Sequence, residues 1–258
     1  MVEKVWGRDS LPPPFAAPES KRIGEIWFEP PPELPDLLVK YLFTSEKLSV
    51  QVHPSDAQAA EGEHGKEECW LVLAADPGAQ LAVGFREAVD SEAMRAAALD
   101  GSIEHLLAWH DVAPGDFIYL PAGTVHAIGG GLSLIEIQQN SDTTYRLYDY
   151  GRPRELHLDK AIAVADGGPH EPALRRKVPE HGCVSLVDGP HFRLDRLVGS
   201  PDGATAARYS QAALLAIPLD APLTVAGTTI EPGECALASG ISEIRFAEGG
   251  RALLTQPT

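Results

Sequence analysis

Gln51 and His53 stand one residue apart in the run Leu48-Ser-Val-Gln-Val-His53, with Glu68 and His126 farther along the chain. Alternate side chains of an extended strand leave the same face, so Gln51 and His53 share a direction. His126 closes the stretch GDFIYLPAGTVH, residues 115–126, which reads as a strand, a tight Pro/Gly turn and the start of another strand. Two imidazoles, one carboxylate and one amide oxygen, all on strand-like segments, can converge on a divalent ion inside a small β-barrel. One carboxylate and no thiolate leave such an ion net positive, as Lewis-acid chemistry requires. A single histidine on a strand is ordinarily a hydrogen-bonded core or surface residue, so the expectation rests on the set. Glu67 is the rival carboxylate, and alternation lets only one of Glu67 and Glu68 look inward. His64, His105, His110, His157, His170, His181 and His191 fall in segments read as loops or helices, without ligand spacing.

Such a set needs short strands to carry it. The 258 residues include 24 Gly and 22 Pro, which favours many strands joined by turns. Strands are expected at 48–53, 68–74, 80–85, 116–120, 126–128, 132–138 and 144–150. Residues 87–110 are rich in Ala, Glu and Leu and read as two short helices broken at Asp100-Gly101. A further helix is expected over 156–165. The segment Pro232-Gly-Glu-Cys-Ala-Leu-Ala-Ser239 echoes the one beginning at Pro114; aligning Gly115 with Gly233 sets Ile244 opposite His126. This suggests a duplicated barrel, one copy binding metal and one not.

The formal charge of −16 argues against nucleic acid, whose phosphates need a basic surface. No apolar run approaches a membrane span, and the amino terminus lacks a signal core. Cys69, Cys183 and Cys235 are odd in number and scattered, so reduced thiols in a cytoplasmic setting are expected.

The spacing Gly-x5-Pro-x-Gly-x2-His at Gly115, Pro121, Gly123 and His126 resembles the second signature motif of cupins, small antiparallel jelly-roll barrels with a metal in the mouth. Four ordered blocks resemble, more specifically, type I mannose-6-phosphate isomerases in the short bacterial form without a large inserted helical domain. They are LSVQVHP at 48–54, GKEECW at 65–70, the run 114–126, and EIQQNSDTTYR at 136–146; Tyr148-Asp-Tyr150 and Arg154-Glu-Leu-His157 follow. With Lys4-Val-Trp-Gly7 and Gly24-Glu25, the likeness covers about the first 165 residues. It implies an all-β fold of tandem cupin-type barrels with a few short helices. Residues 1–165 would form the catalytic metal-binding barrel, with its helical segment near 87–110, and 166–258 a degenerate barrel without metal.

The resemblance further implies one Zn²⁺ per chain held by Gln51, His53, Glu68 and His126, and selects Glu68 over Glu67. It places Arg146 as a catalytic cation, Ser49 and Lys66 towards the substrate phosphate, and Glu136 as an acid beside the sugar. Arg146 paired with Asp142 or Asp149 is the purely structural alternative. Asp142, Gln138 and Gln139 would orient ligands, and Trp6, Trp27 and Trp70 would pack the barrel. The implied reaction interconverts mannose 6-phosphate and fructose 6-phosphate through a cis-enediol, with Glu136 and Lys66 among the candidates for proton transfer. Alternatives are an isomerase of another sugar phosphate, an iron cupin oxygenase, or a sugar-binding cupin without turnover. The expected partner is a phosphorylated hexose, and the protein a monomer or homodimer.

Overall fold

The computed structural model describes residues 1–210 and 212–258 and divides into two compact units. The first comprises Met1–Leu11, Ala17–Trp27 and Val39–Lys177; the second comprises Pro12–Ala16, Phe28–Leu38 and Val178–Thr258. In chain order the first elements are β1 (Val2–Arg8), β2 (Ile23–Phe28), β3 (Leu37–Phe43), β4 (Val50–Val52), β5 (Glu68–Ala75) and β6 (Gln80–Phe85). Helices α1 (Ser91–Asp100) and α2 (Ile103–Leu106) follow, then β7 (Leu107–Asp111), β8 (Asp116–Leu120), β9 (His126–Ile128), β10 (Leu132–Gln139), β11 (Tyr145–Tyr148), α3 (Leu158–Val164) and β12 (Arg175–Lys177). A seven-stranded sheet runs β1-β2-β3-β10-β5-β8-β12, and a five-stranded sheet runs β11-β4-β9-β6-β7. The all-β, antiparallel expectation is borne out, and no large helical domain interrupts it among the described residues.

The helices break where the sequence indicated. Asp90 caps α1 by accepting from Ala93 N, and Gly101 ends it at φ +85°, a conformation that disfavours any side chain. Residues 107–110 depart from expectation. They form β7 rather than helix and pair with β6, because Trp109 and Leu107 find partners on that strand's edge. His110 is therefore a strand residue.

Two apolar clusters fix which way the first unit's strands face. Val50, Val52, Val125, Ala127, Tyr145 and Leu147 pack with Met94, Ala97, Ala98 and Ala161 of the helices on the outside of the five-stranded sheet. Leu48, Trp70, Val72, Leu81, Val83, Ile128 and Leu134 pack with Trp6 and Leu42 in the barrel interior. With period 2, burying Val50 and Val52 under the helices turns Gln51 and His53 inward; Val125 and Ala127 do the same for His126, and Tyr145 and Leu147 for Arg146. The helical layer thereby selects the face on which the polar residues meet.

The second unit contains β13 (Val184–Asp188), β14 (Phe192–Val198), α4 (Gly203–Arg208), β15 (Leu214–Pro218), β16 (Leu223–Val225), β17 (Thr228–Ile230), β18 (Ala236–Ala238), β19 (Ile244–Phe246) and β20 (Arg251–Pro257). Its sheets, β13-β14-β20-β15-β18 and β17-β16-β19, enclose an apolar core. Gly115 and Gly233 take the same left-handed backbone, at φ +88° and +92°. Around them the turns match: Asp116 N donates to Ala113 O while the Asp116 carboxylate accepts from Ala113 N, and Glu234 repeats both bonds with Glu231. Ile244 begins β19 as His126 begins β9, buried in the aliphatic core. No helix of the described residues is long and apolar enough to cross a membrane.

Candidate metal centre and substrate cavity

Gln51 and His126 are cross-strand partners of β4 and β9, and Gln51 is likewise opposite Arg146 of β11. These three side chains therefore form one row on the inner face of the five-stranded sheet. From the seven-stranded sheet come Glu68, opposite Gln138, and Glu136, opposite Trp70. Gly123 permits the turn that delivers His126. It stands at φ +87°, its N donates to His53 O at 2.8 Å, and a Cβ there would lie 3.0 Å from Val164 O.

One ligand atom from each of His53, Glu68 and His126 can be chosen so that all lie within 4.8 Å of one another, in full burial. The hydrogen bonds define their state. His53 Nδ1 meets the Thr143 carbonyl and His126 Nδ1 the Thr124 carbonyl, each at 2.8 Å. A carbonyl only accepts, so both Nδ1 atoms carry the proton and both Nε2 atoms present lone pairs. Burial, the largest influence, holds both imidazoles below their ordinary pKa and so neutral. Each Nε2 then faces a Glu68 oxygen at 3.5 Å, acceptor against acceptor. Such a nest of lone pairs demands a cation, and two imidazoles with one carboxylate fit a divalent metal.

Lys66 supplies part of that positive charge. Its ammonium is 2.7 Å from Glu68 Oε2, 3.4 Å from His53 Nε2 and 3.7 Å from Glu136. Burial opposes the charge, but Glu68 and Glu136 outweigh it and push the Lys66 pKa up to about 12. Burial would likewise raise Glu68, yet the Lys66 ammonium holds it below the usual carboxylate value. Gln51 donates Nε2 to His126 Nε2 at 3.2 Å and accepts from Ser49 Oγ at 3.0 Å. A half-turn of the amide offers its oxygen to the centre and leaves Ser49 as acceptor.

Above the centre opens a cavity of about 300 Å³, whose wall includes Ser49, Gln51, Lys66, Glu136 and Arg146. All the expected substrate residues thus share one space. Glu136 is fixed by Trp70 Nε1 at 3.0 Å and by Lys40 at 3.5 Å. Arg146 is half-buried, gives Nη1 to the Glu155 carbonyl at 2.8 Å and makes no ion pair among the described residues. The structural alternative for it fails, because Asp149 is taken by Arg152 and Arg154. Glu67 points away from the centre and accepts from Tyr119.

Other expectations are corrected. Trp27 does not pack the barrel: it is 38% exposed, lines the cavity, gives Nε1 to Glu25 at 2.7 Å and carries the Lys40 ammonium 4.4 Å over its ring. Gln138 and Gln139 do not touch the ligands. Gln138 donates to the carbonyls of Gln139 and Ser141, and Gln139 ties Glu67 N to Asp56, so both shape the loop that offers Thr143 O to His53. Lys40 escaped the motifs, and Glu25 and Arg154 stood within matched blocks without a role. Lys40 had a signal, being the single charge in the buried strand LLVKYLF.

No family model matches the chain. The mannose-6-phosphate isomerase of Streptococcus mutans serotype c is 44% identical over 166 residues, 60% of this chain and 52% of that protein. The curated relatives of this chain carry the name mannose-6-phosphate isomerase. Mannose-6-phosphate isomerase ManA of Bacillus subtilis is 47% identical over 139 residues, 50% of this chain and 44% of its own. The chain thus spans about half the length of the curated relatives it matches. Over whole chains, the crystal structure of the mannose 6-phosphate isomerase from Bacillus subtilis superposes with a TM-score of 0.76 at 25% identity, covering 99% of this chain and 96% of that one. A phosphomannose isomerase variant from Salmonella typhimurium, 15% identical with a TM-score of 0.75, shares the fold over 99% of this chain and 97% of its own.

Proposed function

We propose that the chain is a metal-dependent aldose–ketose isomerase interconverting mannose 6-phosphate and fructose 6-phosphate. The observation that carries it is the convergence of three buried acceptors from separate strands beneath a cavity walled by cations. His53, Glu68 and His126, with Gln51 after its amide turns, would hold one Zn²⁺. An ion bound there supplies Lewis acidity that stabilises negative charge building on sugar oxygens. Arg146, unpaired by any described carboxylate, lends further positive charge to that developing oxyanion. Ser49 lines the approach to the metal and orients Gln51.

Removing a proton from C2 and returning it at C1, by way of a cis-enediol, needs a group that can move it. Lys66 and Glu136 stand 3.7 Å apart on the cavity wall. Glu136 is already buried against Lys40 and Trp70, which fix its orientation. Glu136 is suited to take the proton from C2 and return it at C1, while Lys66, kept charged by its carboxylate neighbours, holds Glu136 in place. Residues 1–165 would be the catalytic barrel and 166–258 a degenerate copy, a division supported by the matched turns at Gly115 and Gly233 and by Ile244 in place of His126. Three free cysteines accord with a cytoplasmic setting.

A coupled assay across several sugar phosphates, before and after chelation, tests the reading. Turnover of mannose 6-phosphate that disappears with chelator and returns with zinc is expected. Oxygen uptake dependent on iron, or sugar binding without product, overturns it.

A further inference from the structure

We propose that Arg154, clamped by Asp149 and acting beside Arg146, binds the phosphoryl group of the substrate. The inference deepens the sugar-phosphate reading above and rests on it for the identity of the ligand. Five cations line the cavity: Lys4, Lys40, Lys66, Arg146 and Arg154. Each lysine has its own carboxylate, Lys4 with Glu25 at 3.2 Å, Lys40 with Glu136 at 3.5 Å and Lys66 with Glu68 at 2.7 Å. Their charge is already answered within the protein.

The arginines differ. Arg154 directs Nε and Nη2 onto the two oxygens of Asp149, at 2.5 and 2.6 Å, which leaves Nη1 without a partner among the described residues. Asp149, itself buried, also accepts Arg152 Nη2 at 2.7 Å. Arg146 brings a third guanidinium, with its Nε buried and unpartnered. Asp149 pairs with Arg152 and Arg154 alone, so three neighbouring guanidinium groups meet one buried carboxylate, a local excess of two positive charges. The remaining acids nearby, Asp142 and Glu155, are exposed and screened by water. Arg154 and Arg146 repel each other, and after burial that repulsion is the main influence drawing the Arg146 pKa down. Two like charges held together at a cavity wall invite an anion, and a phosphate monoester approaches charge −2 near neutral pH. The bidentate clamp also fixes the Arg154 fork before the ligand arrives, so little side-chain freedom is lost on binding.

The test uses the full chain as purified, with inorganic phosphate as probe in calorimetric titration and mannose 6-phosphate in steady-state kinetics. Arg154→Gln should weaken phosphate binding by about 10- to 100-fold. It should raise KM for mannose 6-phosphate by a similar factor while kcat falls by less than about threefold, the pattern of lost uniform binding. Arg154→Lys, which keeps the charge but not the fork, should recover part of both losses. Phosphate affinity in Arg154→Gln within about twofold of the parent, or a fall in kcat with KM unmoved, overturns the proposal. Should no sugar phosphate turn over while phosphate affinity still depends on Arg154, the anion site stands and the isomerase reading falls. Turnover with a phosphate affinity indifferent to Arg154 keeps the isomerase reading and overturns the anion site.

Discussion

At the scale of single residues, charge pairing separates structure from chemistry. Lys4, Lys40 and Lys66 are matched and buried or half-buried, whereas Arg146 faces the cavity unmatched, so its removal should cost reactivity rather than stability. Arg146→Ala is expected to lower kcat by about 10²- to 10³-fold, as loss of an oxyanion-stabilising donor does. Bound metal and the unfolding midpoint should stay near parental values, which elemental analysis and a urea titration will check. His126→Ile copies Ile244 and replaces a buried polar ligand by an aliphatic side chain of the second core. It should abolish metal binding and turnover, and lower the urea midpoint of the metal-free protein modestly, because the Thr124 carbonyl and the Gln51 amide lose their partner. Much of this was legible in the sequence. Alternation at Gln51 and His53, and the Pro/Gly turn before His126, indicate strands that can share an ion. Trp27 was not, since its position depends on how β2 lies in the sheet, and no local spacing encodes that; Lys40 left only the hint of a lone charge in an apolar strand.

At the scale of elements, turns and the helical layer aim the site. Gly123 needs its left-handed backbone and stands against the Val164 carbonyl. Gly123→Ala should therefore destabilise the protein by about 1–2 kcal/mol through backbone strain. Because Gly123 N also holds the His53 carbonyl, metal affinity should fall together with the urea midpoint. The sequence foretold α1, its end at Gly101 and the two strands flanking the Pro/Gly turn. It missed β7, because an Ala- and Leu-rich stretch fits helix and strand alike until an edge strand is available to pair with it.

At the scale of the molecule, buried imidazoles link stability to pH, and a metal bound among them would link it to metal concentration. Burial holds His53, His126 and His170 below the ordinary value of 6.5 in the folded chain. The unfolded chain therefore binds more protons below pH 6.5, and stability rises with pH through that region. Metal-free protein should show a urea midpoint that is level above about pH 7 and falls steadily as pH drops from about 6.5 towards 5. Added Zn²⁺ at about a hundred times its dissociation constant should stabilise the folded state by about 2.7 kcal/mol, read as a higher unfolding temperature that chelator reverses.

The cavity wall also carries its own optical probe. Trp6 and Trp70 are buried, Trp6 at the cavity's edge, and Trp109 lies outside the cavity, while Trp27 stands open to solvent beneath the Lys40 ammonium. A sugar phosphate entering beside that indole changes its polarity and the cation above it, so intrinsic emission should report occupancy directly, without label or coupled enzyme, as a change over the emission of the other three rings.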